Sequence, residues 1–149
     1  MIKQDPLRKK ALALLARREH SRVELMQKLQ LRGFDNIAIQ NCLDELAKQN
    51  LQNDARFTEE YVFARKQAGF GPKRIALELE QRGISAAFIA KQVCEHSDEW
   101  RQYMRAIVEK KFSKKTSKAD NEARIYFLLS RGYSLEMIHR WMGVTCLSS

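Results

Sequence analysis

The chain has 149 residues, of which 44% are hydrophobic and 30% are charged. Its 27 lysines and arginines against 18 aspartates and glutamates give a net charge of +9, which favours a polyanionic partner such as nucleic acid. No segment approaches the roughly 18 apolar residues of a membrane span, and the first residues lack the apolar core of a signal peptide. We therefore expect a cytoplasmic protein without a membrane partner.

A short pattern occurs three times, with an Arg-Gly pair and an apolar residue between two apolar stretches. Its glycines are Gly33, Gly83 and Gly132, which are 50 and 49 positions apart. Such a period indicates tandem repeats that stack on their neighbours. Because apolar residues recur at intervals of three and four, we predict an all-α protein of three three-helix, helix-turn-helix-like repeats, elongated and curved. The predicted repeats are 1–52, 53–97 and 98–149.

The first repeat contains a clear signal for a helix start. Ser21 and Glu24 have the spacing of a capping box, in which the side chain of each residue accepts a hydrogen bond from the backbone amide of the other. This pair predicts that a helix begins at about residue 21.

The second repeat opens at Asn53 and Asp54, which are good helix caps. Gly69–Phe70–Gly71–Pro72 then predicts an ordinary turn between two helices, since the segment lacks the Gly-Lys-Ser/Thr of a phosphate-binding loop. Lys73 and Arg74 follow at the amino end of a helix, where the dipole favours an anion.

The third repeat is predicted to begin at a cap formed by Ser97, Asp98 and Glu99. Trp100 and Trp141 lie in apolar stripes and are predicted to pack in the core. Five lysines occur between residues 110 and 118 without any apolar period. Two interpretations of this segment remain open, a solvated linker and a contact with an anion.

Residue types that carry chemistry are scattered. The three histidines, His20, His96 and His139, have no partners at a catalytic or metal-binding spacing. The three cysteines lie about fifty residues apart, which predicts buried free thiols. We expect no enzyme activity, catalytic residue, metal, cofactor or small-molecule substrate.

Charge is distributed unevenly along the chain. Residues 1–50 carry 10 basic and 6 acidic side chains, 51–100 carry 7 and 8, and 101–149 carry 10 and 4. The two outer thirds are therefore expected to supply electrostatic attraction, and the middle third shape and specific contacts. The arginines of the repeated pair, at 32, 82 and 131, are best explained by contact with the free carbonyl groups at helix ends, although a row of arginines is the alternative.

Several motifs resemble the RecX family of bacterial regulatory proteins. In the middle of the chain these are Asp54-Ala55-Arg56-Phe57, Tyr61-Val62, Arg65, Gly71-Pro72-Lys73-Arg74-Ile75 and Glu78-Leu79 before Arg82-Gly83-Ile84. Leu15-Ala16-Arg17-Arg18-Glu19-His20-Ser21, Glu24-Leu25 and Arg32-Gly33-Phe34 look like the amino-terminal repeat of that family. The third repeat departs from the pattern, since it has Leu128-Leu129 in place of the Glu-Leu pair.

The resemblance implies a monomeric modulator of the RecA recombinase that binds RecA filaments on DNA and reduces ATP hydrolysis, strand exchange and filament growth. Single- or double-stranded DNA is a further expected partner. The candidate contacts to the filament or to nucleic acid are basic residues: Arg8, Lys9, Lys10, Arg17, Arg18, Arg65, Lys73, Arg74, Lys110, Lys111, Lys114, Lys115 and Lys118.

Two other functions fit the sequence. A helix-turn-helix protein would bind DNA directly, with Asn36, Gln40 and Asn41 as the polar side chains of a recognition helix. A helical scaffold for another acidic protein is the second alternative.

Overall fold

The computed structural model describes residues 5–112 and 118–142. Within these ranges the chain forms nine α-helices and no β-strand, which confirms the predicted all-α class. None of these helices is both long and apolar enough to cross a membrane. The helices are α1 (Pro6–Arg17), α2 (Arg22–Leu31), α3 (Asn36–Lys48), α4 (Asp54–Gln67), α5 (Pro72–Gln81), α6 (Ala86–Gln92), α7 (Glu99–Lys111), α8 (Lys118–Ser130) and α9 (Leu135–Met142).

Polar caps determine where several helices begin. Before α2, the Glu24 amide donates to the Ser21 hydroxyl at 3.1 Å and the Ser21 amide donates to the Glu24 carboxylate at 3.0 Å, which confirms the predicted capping box. Asn53 caps α4 by accepting the amide of Arg56 at 3.0 Å. The predicted cap at Asp98 is wrong, because this residue has helical dihedral angles and its side chain makes no capping hydrogen bond. A residue that caps a helix start normally has an extended backbone, which directs its side chain toward the free amides of the first turn.

The glycine of each repeated Arg-Gly pair ends a helix in the left-handed conformation. Gly33, Gly83 and Gly132 have φ angles of 86°, 80° and 100°. After Gly33, the Phe34 amide donates back to the Leu29 carbonyl at 3.3 Å, so that the turn satisfies the carbonyl groups at the end of α2.

Contacts between residues divide the described chain into two compact units, which we call the first and the second unit. The first unit comprises Met1–Tyr61 and Leu79–Phe88, and the second comprises Val62–Glu78 and Ile89–Ser149. The boundaries fall inside α4, α5 and α6. The division into three repeats at 1–52, 53–97 and 98–149 stays a prediction.

The core of the first unit is formed largely by α1, α2 and α3, which contact one another in every pairing. Most of the apolar residues that recur along these helices face inward, but Ile37, predicted in the same stripe as Ile39, Leu43 and Leu46, is 72% exposed at the start of α3. The buried residues of this core are Leu7, Ala11, Leu14, Leu25, Leu29, Ile39, Cys42, Leu43 and Leu46.

The core of the second unit is centred on Trp100 of α7. Its ring is fully buried and meets the buried ring of Tyr133 edge to face, with 6.0 Å between centroids. The Trp100 indole nitrogen donates to the carbonyl of Cys94 at 2.7 Å. The core position predicted for Trp100 is therefore confirmed, whereas Trp141 is only half-buried.

The cysteines do not share one environment. Cys42 is a buried free thiol, and burial raises its pKa. Cys94 is free but exposed, so the prediction of a buried thiol is wrong there, because the residue lies just beyond the end of α6 and outside its apolar face. Cys146 lies outside the described residues.

Replacement of Gly83 by alanine should destabilise the protein more than the same change at Gly33. Both residues have positive φ, which costs an alanine about 1 kcal/mol. At Gly83, an added Cβ would also lie 2.2 Å from a methyl carbon of Val23, whereas at Gly33 nothing lies within 4 Å. Overpacking of that kind adds about 1–3 kcal/mol. Denaturant unfolding of the two variants measures the difference, and equal losses would contradict the packing at Val23.

A buried histidine connects the end of α1 to α2. The His20 side chain is 1% exposed. Its Nδ1 lies 3.0 Å from the carbonyl oxygen of Arg18 and therefore carries the proton, so Nε2 accepts from the ammonium of Lys28 at 2.8 Å. Burial lowers the pKa of His20, and the positive charges of Arg18 and Lys28 lower it further, while the hydrogen bond to the Arg18 carbonyl and the charge of Glu24 partly oppose this.

This lowered pKa predicts that acid destabilises the fold. Below its ordinary pKa of about 6.5, His20 binds a proton in the unfolded chain before it does so in the folded protein, so the free energy of unfolding falls with pH. Chemical denaturation between about pH 7.5 and about pH 5.5 measures this decrease. The His20→Gln variant should show a weaker dependence, and an identical dependence in both proteins would assign the effect to other groups.

Candidate partner-binding site

A backbone joint in the second unit positions the candidate site. The amide of Gly71 donates to the carbonyl of Arg131 at 2.8 Å, and the amide of Lys73 donates to the carbonyl of Gly132 at 3.0 Å. The carboxyl end of α8 therefore meets the amino end of α5. Free carbonyl groups satisfy free amides, and the negative end of the α8 dipole faces the positive end of the α5 dipole.

Glycine is required on both sides of this joint. A Cβ at Gly71 would lie 2.5 Å from the backbone carbon of Gly132, and a Cβ at Gly132 would lie 2.4 Å from the Cβ of Arg74. Neither contact could be relieved by turning a flexible side chain. The segment from Gly69 to Pro72, which the sequence predicted to be an ordinary turn, is thus also a docking surface for α8.

The joint brings three arginines to one aromatic ring. The guanidinium carbons of Arg65, Arg74 and Arg131 lie 3.8, 4.5 and 4.8 Å from the ring centroid of half-buried Phe70. At these distances the negative face of the ring attracts a cation. We call Arg65, Arg74, Arg131, Phe70 and the neighbouring Glu78 the Phe70 arginine cluster.

Glu78 is the carboxylate of this cluster. Arg65 binds it through two hydrogen bonds, from Nε at 2.9 Å and from a terminal nitrogen at 2.7 Å, and Arg74 donates to it at 3.5 Å. These two hydrogen bonds match the planar guanidinium group of Arg65 to the carboxylate, which the ammonium group of a lysine could not do.

Positive charge in the Phe70 arginine cluster exceeds negative charge. Three guanidinium groups surround one carboxylate, and among the described residues no carboxylate lies within 4.0 Å of the Arg131 guanidinium. Arg131 contacts a second ring instead, that of Phe127, at 5.1 Å. Its side chain therefore does not make the predicted contact with helix carbonyls, because the joint turns it toward the two rings.

The anion site expected at the amino end of α5 is not available. The amides of Gly71 and Lys73 are already donated to α8, so they cannot bind an external anion. The side chains of Lys73 and Arg74 are exposed and remain candidates. Of the predicted contact residues, the joint brings Arg65 and Arg74 together, and sequence reasoning missed Phe70, Glu78 and Arg131 as their neighbours.

A cleft of about 400 Å³ lies elsewhere in the second unit, between the end of α4 and one face of α7. Its lining includes Lys66, Tyr103 and Lys110. Lys66 is paired with Glu99 and lies 4.8 Å from the Trp100 ring centroid, and burial lowers its pKa. These contacts make Lys66 part of the internal structure of the unit.

The basic residues predicted near the amino terminus lie on the first unit. Lys9 and Arg17 are exposed, and Lys10 is half-buried. Arg8 donates to the Gln49 side chain at 2.7 Å, and Arg18 forms an ion pair with Glu24 at 3.0 Å. The structure does not gather these five side chains around one point.

The lysines predicted after α7 are only partly described. Lys110 and Lys111 are exposed at the end of α7, and the Lys111 ammonium lies 5.9 Å from the Phe127 ring centroid. Lys118 is the first residue of α8. Lys114 and Lys115 lie outside the described residues.

Comparison with known proteins shows a family relationship along most of the chain. Residues 8–46 match the first three-helix domain of RecX, and residues 53–91 match the second. Regulatory protein RecX of Ectopseudomonas mendocina (strain ymp) is 40% identical over 90% of this chain and 91% of its own. Regulatory protein RecX of Pseudomonas putida (strain GB-1) is 38% identical over 92% of this chain and 89% of its own.

Solved structures show the same fold. The crystal structure of RecX from Lactobacillus salivarius superposes with a TM-score of 0.77 at 22% identity and covers 92% of each chain. A crystal structure of a second regulatory protein RecX gives a TM-score of 0.75 at 17% identity, over 93% of this chain and 74% of the other. The sequence matches therefore establish that the chain, whose fold these structures share, belongs to the RecX family of regulatory proteins.

Proposed function

We propose that this protein regulates the RecA recombinase by binding as a monomer to RecA filaments on DNA, where it reduces ATP hydrolysis, strand exchange and filament growth. The observation that carries the proposal is family membership over about 90% of the chain. The net charge of +9 supports it, because a nucleoprotein filament is a polyanion.

Two kinds of surface would contribute to this activity. The exposed basic residues of the outer thirds would provide long-range attraction to the filament. The Phe70 arginine cluster, which comes mostly from the near-neutral middle third, would provide a specific short-range contact. Among the predicted contact residues, Lys9 and Arg17 of the first unit and Lys110 and Lys111 of the second are exposed and could serve the first role.

The direct DNA-binding alternative is weakened by the side chains of α3. A recognition helix needs polar side chains that are free to reach base edges. The Asn36 oxygen accepts from Gln30 at 2.9 Å, and the Gln40 oxygen accepts from Arg22 at 2.8 Å. Two of the three candidate base contacts are thus occupied within the first unit.

Addition of the protein to RecA on single-stranded DNA should reduce the rate of ATP hydrolysis and strand exchange at fewer than one molecule per recombinase. A ligand that blocks a filament end or spans several subunits acts on more RecA than it touches. Steady-state ATPase and strand-exchange assays over a concentration series test this. Tight binding to bare DNA with no effect on RecA turnover would instead support the helix-turn-helix alternative.

Replacement of Lys110, Lys111, Lys114, Lys115 and Lys118 by glutamine should weaken the salt dependence of binding. Each neutralised phosphate contributes about −0.9 to the slope of log affinity against log salt on duplex DNA, and about −0.7 on a single strand. Filament binding at several salt concentrations gives the slope. The variant with Arg8, Lys9, Lys10, Arg17 and Arg18 replaced by glutamine is the comparison, and a change of slope only in that variant would move the contact to the other end of the chain.

A further inference from the structure

The Phe70 arginine cluster carries charge that the described residues do not balance. Arg65 and Arg74 share the single carboxylate of Glu78, and Arg131 is held against aromatic rings. Both Arg65 and Arg131 are half-buried, which removes part of the water that would otherwise solvate them. An incoming anion would therefore meet, at Arg131, a guanidinium group that is already ordered and partly desolvated, and its binding there would cost little side-chain entropy.

The cluster is not built to stack a nucleic-acid base. Phe70 is the ring that would accept a base, but three guanidinium groups lie 3.8 to 4.8 Å from its centroid and occupy its surroundings. Aromatic side chains in single-strand-binding proteins instead leave a ring face open for each base. The cluster therefore favours recognition of an anionic group over recognition of a base.

The charge of the sequence around the cluster also helps to distinguish between a protein partner and a DNA backbone. A surface that follows nucleic acid carries basic residues over a long path, because duplex DNA has a negative charge about every 1.7 Å. Residues 51–100, which supply Arg65 and Arg74, carry 7 basic and 8 acidic side chains. A local cluster of positive charge in a near-neutral segment is better suited to bind one anionic group than to follow the phosphates of a nucleic-acid backbone.

An apolar side chain is exposed beside the arginines. Leu77, three residues after Arg74 and so on the same helix face, is 55% exposed. Arginine beside exposed apolar surface is typical of protein interfaces, where arginine is enriched and the centre of the contact is apolar.

We propose that the Phe70 arginine cluster binds an aspartate or glutamate of a protein partner, with Leu77 contacting an apolar residue next to that carboxylate. The inference rests on the proposed function in that the recombinase would supply this acidic segment. The internal Arg65–Glu78 pair shows the bidentate geometry that a carboxylate adopts in the cluster, and the incoming carboxylate would bind Arg131 and Arg74.

The test compares three proteins. They are the wild type, the Arg74→Gln/Arg131→Gln variant and the control Arg32→Gln, which removes a charge from the same Arg-Gly pair at an exposed position. Binding is measured to RecA filaments on single-stranded DNA, to the bare DNA, and to a short labelled peptide of alternating glutamate and leucine. The cluster variant should bind filaments and peptide at least about tenfold more weakly, since hydrogen bonds to charged groups are strong. The control should bind both as the wild type does.

The results separate the inference from the proposed function. Unchanged binding to filaments in the cluster variant overturns the inference, as does an equal loss of affinity for bare DNA, which would assign the cluster to phosphate. If the wild type fails to bind filaments, the proposed function is overturned. The inference is then tested only by whether the cluster variant binds the peptide more weakly than the wild type does. If the double variant unfolds, the single variant Arg74→Gln replaces it in the same measurements. The Arg74 side chain is 45% exposed, so its replacement should not unfold the protein. Leu77→Ala should weaken filament binding without lowering the melting temperature, because the Leu77 side chain is 55% exposed.

Discussion

The second unit closes where the carbonyl groups at the end of α8 accept the amides at the start of α5. Two hydrogen bonds of 2.8 and 3.0 Å make this joint, and two glycines without side chains allow the backbones to approach. Each helix end has groups that would otherwise need water or a capping side chain. Because the joint satisfies both ends at once, the positions of Phe70 and Arg131 follow from it: each is the residue immediately before one of the two glycines.

The cluster at Phe70 is a consequence of that joint and of one salt bridge. The Arg65–Glu78 pair connects the end of α4 to α5, and α8 adds Arg131 from a distant part of the sequence. Arg65 and Arg131 are half-buried, and the aromatic ring partly replaces their lost hydration. Excess positive charge, ordered donors and an exposed apolar neighbour together resemble an interface anchor more than a purely structural salt-bridge network. The proposed contact would give the middle of the chain a role separate from that of its basic outer thirds.

The repeated Arg-Gly pair has a common local role and different tertiary roles. In every copy the glycine ends a helix with positive φ. Around Gly33 there is open space, Gly83 packs on Val23, and Gly132 packs on Arg74. The arginines diverge in the same way: Arg32 is exposed, Arg82 lies near Glu24 and the Tyr61 ring, and Arg131 faces Phe70. The similar sequence of the three copies therefore gives the same turn, whereas the residues packed around each copy determine what its side chains contact.

The sequence by itself determined the local structure and the family. Apolar periodicity, the Ser21–Glu24 box and the glycines predicted helices and their ends, because these signals act within a few residues. The motifs from Leu15 to Gly83 led to the family. Only the tertiary structure decided that Arg65, Arg74 and Arg131 share one ring, since the last of them is separated from the others by more than fifty residues. Contacts of that kind depend on how helices pack, and neither helical periodicity nor charge counts carry this information.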